Sequence, residues 1–353
     1  MNSNKFTLDG LHRSIFMISD LHFSDKREDE YRFGIFKQVA TLIQSTKKYG
    51  DNQSVYILGD IVDAKDKHSS KLVNRIVDEL GWLSTFVDDI KIIMGNHDRI
   101  SEGHPYFRFL NYIPNINYIW KPELDRGPFE EKALFLPHSI EPLEYFSQEK
   151  AKEFKFGDLD FIFMHQTFHG SISESGQQMA GLPTALPKIM GFNGHIFSGD
   201  VHVPQSFDNL TYVGSPYHVH FGDKFTPRIL ELIVAPTIQG PKWEIKSHPT
   251  EFPSKRKLDI SSPKEIAKQV NPGDLVKIKL NLEDSQIADW NNIRKQVLDK
   301  CKECEVEVFG LEVVRKEIYQ SEEEEAIPTK LVPDCTDILD TFIKEEGIPD
   351  FMA

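Results

Sequence analysis

Five short apolar runs punctuate the first two thirds of the chain: IFMIS (15–19), VYILG (55–59), IKIIMG (90–95), FIFM (161–164) and HIFSG (195–199). They are nearly continuous and rich in Ile, Val and Phe, as strands buried on both faces should be. Between the first two, Phe33, Phe36, Val39, Ala40 and Ile43 share one stripe, which predicts a helix from about Tyr31 to Lys48. A second helical pattern runs from about Ser70 to Val87. Strand alternating with helix implies an α/β core.

Beyond residue 240 the pattern changes. Residues 250–274 carry basic SKRK, then SSP and NPGD, and read as a linker or irregular crossing. VKIKLNL (276–282) then alternates strictly, with Val276, Ile278, Leu280 and Leu282 on one face. A helix capped by Ser285 follows, with Ile287, Trp290, Ile293, Val297 and Leu298 on one side, and VEVFGLEVV (306–314) reads as another strand. This predicts a small β-α-β domain over 250–320, after a first domain over 1–240. SEEEE (321–325) reads as a solvated linker, and Ile338, Leu339, Phe342 and Ile343 mark a short amphipathic terminal helix. Within 321–353, that helix is expected to dock a partner, because so short a helix needs a packing surface.

The whole is 353 residues long, more than one typical core holds. No run approaches the ~18 apolar residues of a membrane helix, and the start, MNSNKFTLDG, lacks the pattern of a signal peptide. Three cysteines make no disulfide framework, so a reducing compartment, the cytoplasm, is expected. The net charge is −14, split evenly at −7 for residues 1–240 and −7 for the remainder. Neither part has the basic surplus of a protein that holds nucleic acid by charge alone.

Each apolar run ends in candidate metal ligands. The first leads to Asp20-Leu21-His22, the second to Gly59-Asp60 and the third to Gly95-Asn96-His97-Asp98. The fourth leads to His165 and the fifth to Gly199-Asp200-Val201-His202. Ligands in open α/β sheets gather outside the carboxyl ends of strands. On an extended segment, residues i and i+2 point the same way, so Asp20 with His22 and Asp200 with His202 are expected to converge. A lone Asp after a strand is usually a turn former, but five such ends in series are not. Oxygen and nitrogen donors without thiolate suit Mn²⁺, Fe²⁺ or Zn²⁺ in a reactive site rather than a structural zinc.

These motifs resemble those of the calcineurin-like metallophosphoesterases: D-x-H, G-D, G-N-H-D, a lone His, then G-H-x-H. Within that superfamily the chain is most similar to SbcD-type repair and recombination nucleases, including phage relatives. The opening DLH, VHVPQ after the last motif and VGSPYHVHFGD (213–223) carry that likeness. The resemblance implies two mixed β-sheets in a sandwich flanked by helices, with a small α+β cap and a C-terminal helix. It implies a two-metal site, most readily for Mn²⁺: Asp20, His22, Asp60 and His202 on one ion, and Asp60, Asn96, His165 and Asp200 on the other. Such a pair clamps the attacking and leaving oxygens of an in-line displacement. His97 is then free to protonate the leaving oxygen, and Asp98 either orients that imidazole or caps the next helix.

Implied too are a DNA substrate, a coiled-coil ATPase partner of SbcC type and a homodimer within that complex, with no membrane. The departure is Asp200, where the family has a histidine; carboxylate is a competent Mn²⁺ ligand. A phosphatase of small molecules or phosphoproteins, and a degenerate scaffold motivated by Asp200, are the alternative readings. His195, in a GHIF lacking the second histidine, reads as structural. His12, His68, His104, His138, His169 and His248 read as surface or satisfied core. The His218-x-His220 pair has no ligand counterpart in the family, and Cys301-x-x-Cys304 lacks a second pair to complete a zinc site.

Overall fold

The computed structural model describes residues 11–46, 51–101, 103–238 and 240–315. The acidic linker and terminal helix expected beyond 320 lie outside the described residues. The strands over the first, second and third runs, Arg13–Ile18, Asn52–Leu58 and Asp89–Ile93, pair in parallel and continue to Ile116–Ile119. The hairpin of Arg228–Ala235 and Lys242–Pro249 extends this sheet antiparallel from the Arg13–Ile18 side, giving six strands. A second six-stranded sheet centres on Lys132–Leu136, Phe161–His165 and His195–Gly199, all parallel. Gln205–Phe207 and Leu210–Tyr212 flank it on one side and Glu123–Arg126 on the other.

The two sheets share one core. Ile15, Met17, Tyr56, Leu58 and Ile93 from the first pack with Phe135, Phe161, Phe163 and Phe197 from the second. On its other face the second sheet buries Leu134, Leu136, Ile162, Met164 and Ile196 beneath Phe146, Phe156, Leu186 and Phe192. Strand alternation sends Phe16, Ile18, Val55 and Ile57 to the outer face of the first sheet. The helices Gly34–Thr46 and Ser70–Leu83 bury Phe36, Val39, Ile43, Ile76 and Leu80. The expected sandwich of mixed sheets flanked by helices is therefore present. The first helix starts later than its stripe suggested, because Arg27–Phe33 winds as a 3-10 segment.

Residues 11–216 and 226–250 form one compact unit, and 217–225 with 251–315 form another. In the second, Lys255–Ile260, Leu275–Leu282 and Glu307–Arg315 make a parallel three-stranded sheet. Leu258, Ile260, Val276, Ile278 and Leu280 face Val297 and Cys301 of the helix Trp290–Glu303. The expected linker thus contains a strand, Lys255–Ile260, whose charged outward positions mask its alternation. Ser285 is not the cap: the preceding turn of helix starts at Asp284, and Glu283 N–H donates to Gln286 Oε1 at 2.9 Å. Cys301 is buried in this core, and burial raises its thiol to about 11.

His195 is a core residue. Its Nε2 lies 3.0 Å from Thr211 Oγ1, and its ring sits 5.0 Å from that of Trp243. Burial pushes its pKa down to about 4. Above pH ~6.5 the imidazole is neutral folded or unfolded; below that the unfolded chain takes the proton first. Stability should therefore be full above pH ~6.5 and fall towards pH 4, by up to about 3 kcal/mol from this group. Thermal midpoints of wild type and His195→Phe between pH 4 and 7 check this. Parallel curves would refute it.

Candidate metal centre

The chain leaves three of the five ligand-bearing strands by a kink rather than by extension. Asp20 (φ 55°), His22 (φ 43°), Asp60 (φ 55°) and Asp200 (φ 76°) all lie in the left-handed region, which side chains other than glycine rarely adopt. The alternation argument for Asp20 and His22 therefore gave the right meeting by the wrong backbone. Hydrogen bonds overdetermine the kinks. Asp20 N–H donates to Gly59 O at 3.1 Å, His22 N–H to Asp60 O at 3.0 Å, and buried Arg32 donates to His22 O at 2.5 Å. Two glycines permit the close approach. A Cβ on Gly95 would strike the Asp60 carboxylate and amide, and one on Gly59 (φ 91°) would strike the His165 ring.

The kinks bring the predicted residues together. Oxygen or nitrogen atoms of Asp20, His22 and His202 lie within 4.8 Å of one another, as do those of Asp20, Asp60 and His165. His22 Nε2 and His202 Nε2 face each other at 3.1 Å. His165 Nε2 is 3.5 Å from Asp60 Oδ1, 3.7 Å from Asp200 Oδ1 and 3.1 Å from Asn96 Oδ1. Asp200 and His202 do not converge as alternation suggested: one turns to His165, the other to His22.

Charge and hydrogen bonding fit a pair of cations. Burial pushes Asp20 up to about 6 although His165 and His202 pull it down, and its Oδ2 is buried without a hydrogen-bond partner. Burial also pushes Asp60 upward, but His165, His22 and His97 outweigh it and hold that carboxyl well below its usual range. Burial keeps the His22 imidazole far below its ordinary value, and hence a lone-pair donor. His202 is held up at about 9 against burial, by Glu174 first and then by Asp20. His165 is raised well above its usual value, again against burial, by Asp60, Asp20 and Asp200. The buried carboxylates thus draw positive charge from imidazoles.

Asn96 gives the sharpest sign. With its oxygen inward, that oxygen faces the Asp60 carboxylate, Oδ2 at 3.0 Å and Oδ1 at 3.1 Å, two acceptors that give it no hydrogen, and lies 3.1 Å from His165 Nε2. Without a cation the amide must turn to donate to them; with one, the inward oxygen is a ligand. Oxygen and imidazole donors of this kind suit Mn²⁺, Fe²⁺ or Zn²⁺.

The family pattern of the calcineurin-like phosphoesterases matches residues 13–204, more than half of the chain. The chain belongs to that family. "Exonuclease subunit 1" of Enterobacteria phage T4 is similar to it, 23% identical over 223 residues, 61% of this chain. The match spans 62% of the length of that curated relative. Among solved structures, Vps29 from Entamoeba histolytica aligns as a single mutant (11% identity, TM-score 0.30) and as wild type with zinc (12%, 0.29). Each alignment covers 66% of this chain and 98% of Vps29, at scores too low to carry weight. No helix among the described residues is long and apolar enough to cross a membrane.

In this calcineurin-like phosphoesterase the imidazoles are held from behind. His165 Nδ1–H donates to Leu58 O at 2.6 Å and His97 Nδ1–H to Asp63 O at 2.5 Å, while His202 Nδ1 meets Glu174 Oε1 at 2.5 Å. A partner on Nδ1 leaves Nε2 for a metal or a substrate. Asp98 departs from expectation. Its Oδ2 accepts from Asp60 N and Gly95 N, both at 2.9 Å, and its Oδ1 from Ile61 N at 2.8 Å. It neither orients His97 nor caps a helix; Arg99–Ser101 is a strand. Both oxygens are consumed in tying the second motif to the third.

Several residues of the site lie outside the five ligand-bearing motifs. Thr167 Oγ1 donates to Asp200 Oδ2 at 2.5 Å and steadies the exceptional carboxylate. Ser215, in the G-S-P stretch, donates its hydroxyl to Asp20 O at 3.2 Å and its N–H to His202 O at 2.9 Å. His138 is no bland loop residue: its ring lies 6.1 Å from that of His165, and Arg99 Nη2 donates to its Nδ1 at 2.9 Å. Burial, then the His165 charge, lowers it to about 4. Only spatial proximity reveals it.

Proposed function

We propose that this metal-dependent phosphoesterase is a DNA phosphodiesterase that uses two Mn²⁺ ions, the nuclease subunit of an SbcCD-like recombination and repair complex in the cytoplasm. The observation that carries the two-ion reading is the set of Nε2 and carboxylate atoms converging on Asp60 from both sheets. The likeness to a phage exonuclease subunit supports DNA as the substrate. Asp20, His22, Asp60 and His202 would hold one ion, and Asp60, Asn96, His165 and Asp200 the other. Bound there, the ions supply Lewis acidity that acidifies water and neutralises phosphate charge.

The chain's own groups do the rest. Arg32, Asp98 and Ser215 fix the loops that present the ligands. His97 Nδ1–H is engaged by Asp63 O, which aims Nε2 of the ring away from that carbonyl. As water adds to phosphorus, losing a proton to solvent, the P–O bond breaks and His97 gives its Nε2 proton to the leaving oxygen. A net charge of −14 leaves much of the attraction for DNA to the ions and to a partner, an ATPase of SbcC type that binds DNA, with the nuclease as its homodimer.

Hydrolysis of linear duplex and single-stranded DNA, assayed with Mn²⁺ beside a chromogenic phosphomonoester, tests the reading. Turnover of the monoester alone would sink it in favour of a phosphatase. The same charge balance motivates that alternative.

Asp200 separates an enzyme from a scaffold. Its Oδ1 points at His165 while Thr167 fixes its Oδ2, a ligand's placement. Wild type should bind two Mn²⁺, Asp200→Ala should lose one selectively, and Asp200→His should keep appreciable activity. Mn²⁺ titration followed by electron paramagnetic resonance reads this directly. A single ion at saturation in wild type, with no phosphodiesterase activity, would leave the scaffold standing.

A further inference from the structure

The segment after His165 carries a carboxylate that no motif marks. Glu174 Oε1 lies 2.5 Å from His202 Nδ1, on the side of the ring opposite the Nε2 that faces His22. The segment is built, not draped. Ser173 N–H donates to Gln177 O at 2.9 Å, Met179 N–H donates to Ser171 O at 2.8 Å, and Ile172 bridges Gln178 antiparallel. Gln205 then clamps it: its Oε1 accepts from Ile172 N and its Nε2 donates to Ile172 O, both at 2.8 Å. Ser171 Oγ adds a bond to Tyr212 Oη at 2.9 Å. Gln205 follows His202 by three residues, so one stretch of chain carries both the imidazole and the clamp that delivers the carboxylate to it.

We infer that Glu174 is the positioning residue of the first metal site: it holds the proton of His202 on Nδ1, orients the ring, and reserves the Nε2 lone pair for a divalent cation shared with Asp20 and His22. An imidazole free to flip or change tautomer offers that lone pair only part of the time. A carboxylate behind a ligating imidazole removes the loss and raises the basicity of the ligand. His165 and His97 use backbone carbonyls, Leu58 O and Asp63 O, for the same purpose. A carbonyl comes with the strand or loop that carries it. Glu174 must instead be delivered by a hairpin whose clamp is a side chain, which makes the first site the one adjustable from outside its strands. This inference rests on the two-ion reading proposed above.

The test uses the full chain with Mn²⁺ and three variants, Glu174→Ala, Glu174→Gln and Gln205→Ala. Mn²⁺ titration should show one of two ions bound ~10–100-fold more weakly in Glu174→Ala, the range for a lost partner behind a ligand, with the other unchanged. Glu174→Gln should recover part of the loss, because its Oε1 still accepts from Nδ1–H. Gln205→Ala, which touches no ligand, should reproduce the loss in smaller measure. Nitrogen-15 correlations of the metal-free protein at about pH 10, where the raised His202 imidazole is neutral, should show its proton on Nδ1 in wild type, and a mixture of tautomers in Glu174→Ala. Unchanged affinity of both ions in Glu174→Ala would overturn the inference, as would an unchanged His202 signature. If wild type binds no Mn²⁺, the two-ion reading fails by itself, and the nitrogen spectra still judge Glu174.

Discussion

Asp98→Ala should cost the catalytic unit much of its stability and scatter the metal ligands with it. The carboxylate is 0% exposed and accepts from three backbone amides, those of Asp60, Ile61 and Gly95. A methyl in its place leaves three buried donors without a partner, at ~1–3 kcal/mol each. The sum, about 3–9 kcal/mol, is comparable with the ~5–15 kcal/mol that holds an ordinary domain together. Burial and the neighbouring Asp60 charge already push Asp98 up to about 7, so the fold retains a group it pays to bury. Asp98→Asn keeps one acceptor oxygen but turns an NH₂ towards an amide, and should fall between. Urea unfolding of the three proteins reads the loss. A midpoint for Asp98→Ala equal to that of wild type would show that the amides find other acceptors.

The same residue marks how far the sequence could be read. Five ligand-bearing ends were legible because parallel strands buried on both faces leave continuous apolar runs, and Gly59 and Gly95 punctuate them where Asp60 and His165 need room. The sheets' wet margins were not. Glu123–Arg126 and Lys242–Pro249 alternate around charged residues, and Lys255–Ile260 hides Leu258 and Ile260 among lysine, arginine and aspartate. Motif spacing likewise placed Asp98 beside His97 but did not say where its oxygens point. That depends on the left-handed Asp60, which turns its own amide and that of Ile61 inward. Glu174 and His138 lie outside every motif, and distance in sequence conceals what the sheets bring together.

His97→Ala should leave both ions bound yet slow DNA hydrolysis by ~10²–10⁴-fold, the loss expected when a general acid is removed. Its ring lies against His22, with centroids 4.9 Å apart, and one of its nitrogens falls within 4.8 Å of ligand atoms of both His22 and Asp60. With Nδ1 committed to Asp63 O, Nε2 is the nitrogen left to give a proton. His97 N–H also donates to Asp60 Oδ1 at 2.9 Å, a backbone bond that alanine retains, so the bridging carboxylate should keep its pose. Leaving groups separate the possible roles. A natural alkoxide must be protonated as it departs, whereas p-nitrophenolate departs without help. With bis(p-nitrophenyl) phosphate the penalty should therefore shrink to about tenfold or less, as proton donation ceases to matter. Equal losses on DNA and on the activated ester would assign His97 to stabilising charge on phosphorus instead. Loss of a bound ion in Mn²⁺ titration of His97→Ala would make it a ligand and overturn the division of labour between His97 and Asn96.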